Sequence, residues 1–478
     1  MRNSKTQFFG LLLFLLAAGV MLTNGFSSRI FAQNKEFDVF QSVDPIANVL
    51  DEILDNYVDD PKIDHVVEGA LTGMMNSLDD HCSYIPADVY KHLKEDTSGE
   101  FEGIGISIRL DADKLIEVVH AVPNSPAANA GLVPGDRIIK IDGVSTRAMG
   151  LDEARDRIRG PIGTSITLSV YRRSDSTDTE PETMEIPVKR GKIPLESVLE
   201  SRLLDGGIAY MRIQDFKDTT AADITREIKK LNAGGNMKGL VLDLRWNPGG
   251  LLTASKDVAE LFLPNNTLVT YTKGRQTGSH NITEDLKLYT ERDAIVPQNL
   301  PMVVLVNEWS ASAAEIVTGC LQYWSRALIV GEKTYGKGSV QTIIPLARPA
   351  GAALRLTTAL YYTPAEVTIN KRGIIPDVEV PMDEKTQRGL FKQMVASYKD
   401  DFSKVNSQNH GSVSGDKPGA DTVEDTQLKR AVEILKEEPL FEKLLKKYHK
   451  DPKETQIAAV NDGEAQAPEA KAAAATRQ

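Results

Sequence analysis

Hydrophobic and polar positions divide the chain into stretches with different periods. From Pro45 to about Pro86 apolar residues recur every three or four places. Ile46, Val49, Leu50, Ile53, Leu54 and Tyr57 form one stripe, and Val67, Ala70, Leu71, Met74 and Leu78 a second. That spacing predicts two amphipathic helices, the second ending in the polar turn Asp79-Asp80-His81. Between Gly99 and about Pro187 the period falls to two and turn residues become frequent. Phe101 to Ile108, Ile116 to Val119 and Arg137 to Ile141 read as strands, with a helix over Leu151 to Ile158. From about Pro194 to Pro381 strand-like runs (Ile208–Ile213, Leu240–Leu244, Met302–Val306, Ala327–Val330) alternate with helical ones (Ala221–Leu231, Ala254–Leu263), and Leu354–Tyr362 adds a late strand. Such alternation predicts an α/β layer with helices packed on a sheet. Beyond it, Glu384 to Tyr398 reads as a helix, Ser403 to Asp421 as a mobile polar loop, and Leu428 to Tyr448 as a helix broken at Pro439. The tail from Asp451, rich in Ala, Glu, Lys and Gln, carries no packing stripe, and disorder is expected.

The expected organisation is a leader over 1–32, a helical region over 45–96, a β-rich module over 99–190, an α/β core over 194–383, a second helical region over 384–450 and a tail over 451–478. A chain of 478 residues suits about three domains of roughly 150 residues each. The net charge of −11, with no basic stripe, argues against nucleic-acid binding. At the N-terminus Arg2 and Lys5 precede an apolar run from Phe8 to Leu22, longer than a usual signal core and shorter than a comfortable membrane span. Ile30-Phe31-Ala32 offers an imperfect cleavage point. Export to a periplasm is expected, with cleavage preferred over a retained anchor. Of the two cysteines, Cys320 falls in an apolar helix and reads as a buried thiol; nothing in the sequence pairs it with Cys82.

Candidate chemistry lies between Ser310 and Gln341. Ser310-Ala311-Ser312-Ala313-Ala314-Glu315 and Gly336-Lys337-Gly338-Ser339-Val340-Gln341 each follow an apolar strand. A serine becomes a nucleophile when a base takes its proton, and that base need not be histidine. His65, His81, His92, His120, His280, His410 and His449 are scattered without ligand spacing, and each reads as a surface or packing residue. No His-Glu-x-x-His or Gly-x-Ser-x-Gly run occurs, and no metal or cofactor is implied. A free lysine, with a pKa near ~10.4, is almost wholly protonated at neutral pH. Burial of Lys337 would lower that value and make it a base.

Two resemblances extend this reading. Ser125-Pro126-Ala127-Ala128-Asn129-Ala130-Gly131-Leu132, followed by Gly135-Asp136 and Asp142-Gly143, resembles a PDZ domain. The resemblance implies a groove in which an extended peptide adds to an open strand and a glycine loop holds its terminal carboxylate. Here that loop is Gly103-Ile104-Gly105, with Ile106 opening the strand.

The ordered set Asp243-Leu244-Arg245-Trp246-Asn247-Pro248-Gly249-Gly250, Ser310 to Ile316, Gly331 to Gln341, Tyr361-Tyr362-Thr363-Pro364 and Gly373 to Asp377 resembles the carboxyl-terminal processing, or tail-specific, proteases. It implies a crotonase-like α/β core accompanied by the PDZ domain, with flanking helical regions that dimerise. The implied activity is cleavage of protein substrates recognised by their C-terminal tails. Alignment places the nucleophile at Ser312 and makes Ser310 a helix cap. Lys337 becomes the base, and Gln341, four residues on and hence on the same face of a strand, orients it. The oxyanion donors are the amide of Ala313 and that of Gly249 or Gly250. Ala314 and Trp246 depart from the frequent Ser and Asn of the family pattern, at positions not expected to carry a proton. A catalytically idle PDZ scaffold is the alternative; an acyl-CoA enzyme of related fold is disfavoured because the PDZ domain suits peptide ends. An activating adaptor is left open.

Overall fold

The computed structural model describes residues 39–111, 113–122, 124–172, 182–275, 286–394 and 423–448. The expectations for the leader, the loop 403–421, the helix end beyond 394 and the tail therefore lie outside the described residues. The chain divides into two compact units at Ser77/Leu78. The first holds helices Val39–Asn56 and Ile63–Asn76. The first helix begins six residues before Pro45, which lies inside it. Loss of one N–H donor there leaves the apolar stripe of Val43, Ile46 and Val49 intact, and all three side chains are exposed. No helix among the described residues is long and apolar enough to cross a membrane.

The second unit begins with a turn in which Asp79 Oδ1 accepts from the amides of His81 and Cys82, both at 2.8 Å. The short strand Ser83–Ile85 and the helix Ala87–Ser98 follow. Then comes the β-rich module. Its strands Ile106–Leu110, Ile116–Ala121, Arg137–Ile141, Ser165–Arg172 and Glu182–Lys189 pair antiparallel in that order. Ile116, Val118, Ile138, Ile141, Leu168 and Val170 alternate inward to make its core, against Ala154 and Ile158 of the helix Leu151–Ile158. Among the described residues Ile106–Leu110 pairs on one side only, so its other edge is open beside that helix.

The α/β core is a six-stranded sheet whose spatial order is its chain order: Val198–Leu204, Ile208–Ile213, Gly239–Asp243, Met302–Val306, Leu328–Gly331 and Val378–Glu379. The first pair is antiparallel and the rest parallel. Parallel strands need cover on both faces, which explains why their residues are apolar without alternation. Leu240, Leu242, Met302 and Val304 face helices Thr220–Leu231, Leu252–Glu260 and Ala313–Tyr323. Val241, Val303 and Leu305 face Ala431, Ile434, Leu435 and Phe441 of helices Thr426–Lys436 and Glu438–Tyr448. The apolar stripes of this last pair are thus used within the chain. Pro439 stands in the first turn of its helix rather than at an interior break, because first-turn amides have no intrahelical acceptor and a proline there costs no bond. A second sheet is built around the long strand Ala353–Tyr362, flanked by Ser83–Ile85, Leu268–Gly274 and Ser339–Pro345.

Candidate active site

The helix Ala313–Tyr323 starts just beyond the strand Met302–Val306, and the turn between them is laced to the turn after Gly239–Asp243. Ser310 Oγ donates to the Leu244 carbonyl at 2.8 Å and accepts from the Asn307 amide. Ala311 N–H donates to the Asn247 carbonyl at 2.9 Å. Ser310 is therefore a buried tie between turns, and the N-cap position belongs to Ser312. Ser312 sits at φ +55°, ψ −117°, a region that a side chain occupies at a cost of about 1–3 kcal/mol. Gly249 presses against this corner: a Cβ there would lie 2.6 Å from Ser312 Cβ, so only glycine fits.

One buried carboxylate joins the serine turn to the lysine loop. Glu315 Oε2 accepts from the amides of Ser312 at 2.9 Å and Lys337 at 2.8 Å. Its Oε1 accepts from the Gly336 amide at 2.7 Å and from Thr334 Oγ1 at 2.6 Å. Burial pushes the Glu315 carboxyl above its ordinary pKa, against the four donors that pull it down. Ser312-x-x-Glu315 is a capping-box spacing that the sequence analysis passed over, and the reach of Glu315 across 22 residues leaves no local signal.

Ser312, Ala313, Lys337, Gln341, Gly250 and Tyr361 line a single cavity of about 600 Å³. Burial lowers the pKa of Lys337, the charge of Arg355 lowers it further, and Glu315 opposes both. Gln341 Nε2 donates to Ser339 Oγ at 2.8 Å and to Thr357 Oγ1 at 3.3 Å, which leaves its carbonyl oxygen as an acceptor. The strand parity expected to align Gln341 with Lys337 does not hold. The strand begins at Ser339, and a register shift falls between Val340 and Gln341, so both residues reach the cavity by another route. Of the two candidate glycines, Gly249 spends its amide on Asn247 Oδ1 at 2.8 Å. The amides of Gly250 and Ala313 have no acceptor among the described residues. Burial raises the pKa of the Tyr361 hydroxyl well above its ordinary value, Glu315 adds to this, and Ser312 works against it.

Sequence reasoning missed several lining residues. His81, read as a surface or packing residue, lines the cavity with Asp80 and Cys82 from the turn before Ser83–Ile85, and Arg355 lines it from the second sheet. Cys82 and Cys320 are both free and buried, and burial raises the Cys320 thiol pKa. Beneath the site, Arg245 is fully enclosed. Its Nη2 donates to Asp243 Oδ2 and Asp425 Oδ2, each at 2.7 Å, and its Nη1 to Gln427 Oε1 at 3.1 Å. Burial works against its charge, yet the two carboxylates hold its pKa above the ordinary arginine value.

In the β-rich module Ile104 is buried and its carbonyl accepts from Ala127 N–H at 2.9 Å, while Ile106 opens the edge strand. The amides of Ile104 and Gly105 have no acceptor among the described residues. Gly105 has φ +79°, and a Cβ there would lie 2.5 Å from Ser125 Cβ.

Residues 207–380 match the family model described as peptidase family S41, and residues 117–172 a PDZ domain. The chain is 35% identical over 439 residues to the carboxy-terminal-processing protease of Bartonella bacilliformis, covering 91% of this chain and 96% of that one. It is 33% identical over 387 residues to the carboxy-terminal processing protease CtpA of Bacillus subtilis, covering 80% and 78%. Among solved structures it is similar to the photosystem II D1 C-terminal processing protease at 26% identity and a TM-score of 0.38, covering 71% and 94%. An α/β core carrying a serine at a helix start, together with a PDZ domain, defines a class of PDZ-containing serine peptidases. The chain belongs to peptidase family S41, and within it to the carboxy-terminal-processing proteases.

Proposed function

We propose that this chain is an exported serine endopeptidase that takes protein substrates by their C-terminal tails and cleaves them with Ser312 and Lys337. The neutral Lys337 amine accepts the Ser312 Oγ proton as oxygen attacks the scissile carbonyl. The amides of Ala313 and Gly250 receive the developing oxyanion. Lys337, now an ammonium, is held by the Gln341 carbonyl oxygen and returns its proton to the leaving amine. Water then repeats the cycle on the acyl-enzyme, with Lys337 again as base. The observation that carries this reading is the shared carboxylate: Glu315 Oε2 grips the backbones of Ser312 and Lys337 together, and both open on one cavity. The unpaired amides of Ile104 and Gly105, beside the open edge that begins at Ile106, support capture of a terminal carboxylate by the loop Gly103-Ile104-Gly105.

Homodimerisation is supported by the exposed apolar side chains Val43, Ile46, Val49 and Leu54 on one helix. The test of function is incubation with an unfolded model protein, read by mass spectrometry. Wild type should release C-terminal fragments and Ser312→Ala none; equal products from both would overturn the assignment. A wild type that binds tails without cutting would mark the idle scaffold.

A further inference from the structure

The cavity that holds Ser312 carries more positive charge than the proton transfer uses. Besides Lys337 it is lined by Lys94 and Arg355, while Asp80 is the sole acidic residue among those lining it. Lys94 lies over the Tyr90 ring, 4.6 Å from its centroid. Arg355 has no such outlet: its guanidinium makes no ion pair among the described residues, and none joins it to Asp80.

Its place on the wall is fixed by the sheet. In the strand Ala353–Tyr362, Arg355 stands opposite Ser83 on one side and Ile343 on the other, and both of those residues also line the cavity. Directly opposed residues of antiparallel strands share a face. Alternation brings Thr357, the partner of Gln341, to that same face, and Tyr361 lines the cavity from beyond the register shift. Arg355 is thus part of the wall along which a peptide reaching Ser312 must lie. A half-buried guanidinium without a counter-charge is matched by a carboxylate, to which it offers two parallel donors.

We propose that Arg355 binds a carboxylate of the substrate within a few residues of the scissile bond, and so sets where along a tail the cut falls. The carboxylate comes either from the chain terminus or from an acidic side chain. The proposal rests on the proteolytic reading above and adds a site distinct from the PDZ loop. The charge of Arg355 also lowers the Lys337 pKa, so its removal should move the rate profile to higher pH for all substrates alike. Comparison between paired substrates at one pH cancels that effect.

The experiment uses the full chain and two sets of peptides. One set is amidated at its end, giving the PDZ loop no carboxylate, and carries single Glu-for-Gln replacements on both sides of the scissile bond. The other has neutral side chains and a free or amidated terminus. In wild type at least one pair should differ by about tenfold in kcat/KM in favour of the carboxylate. Arg355→Gln should bring that ratio to about one, and Arg355→Lys should restore part of it. Loss in the amidated set assigns the carboxylate to a side chain, and loss in the second set assigns it to the terminus. The share of the terminus preference that the PDZ loop supplies persists in Arg355→Gln; ratios left unchanged by Arg355→Gln in both sets, or wild-type ratios of one in every pair, would overturn the proposal. Absence of any Ser312-dependent cleavage in wild type would instead overturn the proteolytic reading. Thermal melting and circular dichroism of Arg355→Gln, expected to match wild type, separate a lost contact from a lost fold.

Discussion

Among single residues, the charge of Lys337 governs the proposed chemistry. Its amine works as a base only when neutral, and burial together with Arg355 brings its pKa below the ordinary lysine value. The rate should therefore be low at acid pH and rise as pH climbs through that depressed pKa, the deprotonated form being the active one. A kcat profile that falls over the same limb would contradict the assignment. Lys337→Arg keeps a cation that never deprotonates and should remove turnover, with the melting temperature little changed. Glu315 is the positioning counterpart. Glu315→Gln replaces one acceptor oxygen by an NH₂ that must face N–H or O–H donors. Denaturant titration should show a loss of about 1–3 kcal/mol. Displacement of Ser312 against Lys337 should lower kcat by about a hundredfold with little change in KM.

At the scale of elements the sequence was informative where contacts are local or repeat a period. The helix Leu151–Ile158 emerged within its expected bounds, and the sheet core was legible as unbroken apolar runs. What escaped was non-local. Three of the four partners of Glu315 lie 19 to 22 residues away, the register shift that places Gln341 depends on the neighbouring strand, and Arg355 reaches the site through a sheet that the sequence does not order. Which of Gly249 and Gly250 keeps an unpaired amide depends on the Asn247 side chain, which occupies the first and leaves the second. In the PDZ loop, Gly105→Ala places a Cβ against Ser125 at a positive φ. Chemical denaturation should register a loss of at least about 1 kcal/mol. By titration calorimetry wild type should bind a peptide with a free terminal carboxylate more tightly than its amidated copy; equal affinity would exclude carboxylate capture.

For the molecule as a whole, two links tie outlying parts to the site. Arg159, at the end of the PDZ helix, donates through Nη1 to Glu95 and lies within 2.8 Å of His92 Nδ1. Both partners belong to the helix Ala87–Ser98, whose Tyr90, Leu93, Lys94 and Thr97 line the catalytic cavity. That helix is a shared wall between tail capture and cleavage. The second link is Asp425, which reaches Arg245 from just before the last two helices. Those helices cover one face of the sheet. Asp425→Ala leaves the enclosed guanidinium with Asp243 and Gln427 alone, and should destabilise the fold by about 3–5 kcal/mol in a melting experiment. Removal of everything after Met382 should abolish activity whatever assembly state light scattering reports. A soluble, active protein lacking those helices would contradict this view of the core.

In the proposed mechanism Ser312 becomes a nucleophile because a neutral Lys337 takes its proton. The most direct measurement is the rate at which a fluorophosphonate acylating probe labels the full chain, with the modified residue located by peptide mass spectrometry. Labelling is expected at Ser312 Oγ, faster as pH rises, and absent in Lys337→Arg. Labelling of Ser310 or Ser339 instead, or undiminished labelling of Ser312 in Lys337→Arg, would contradict it.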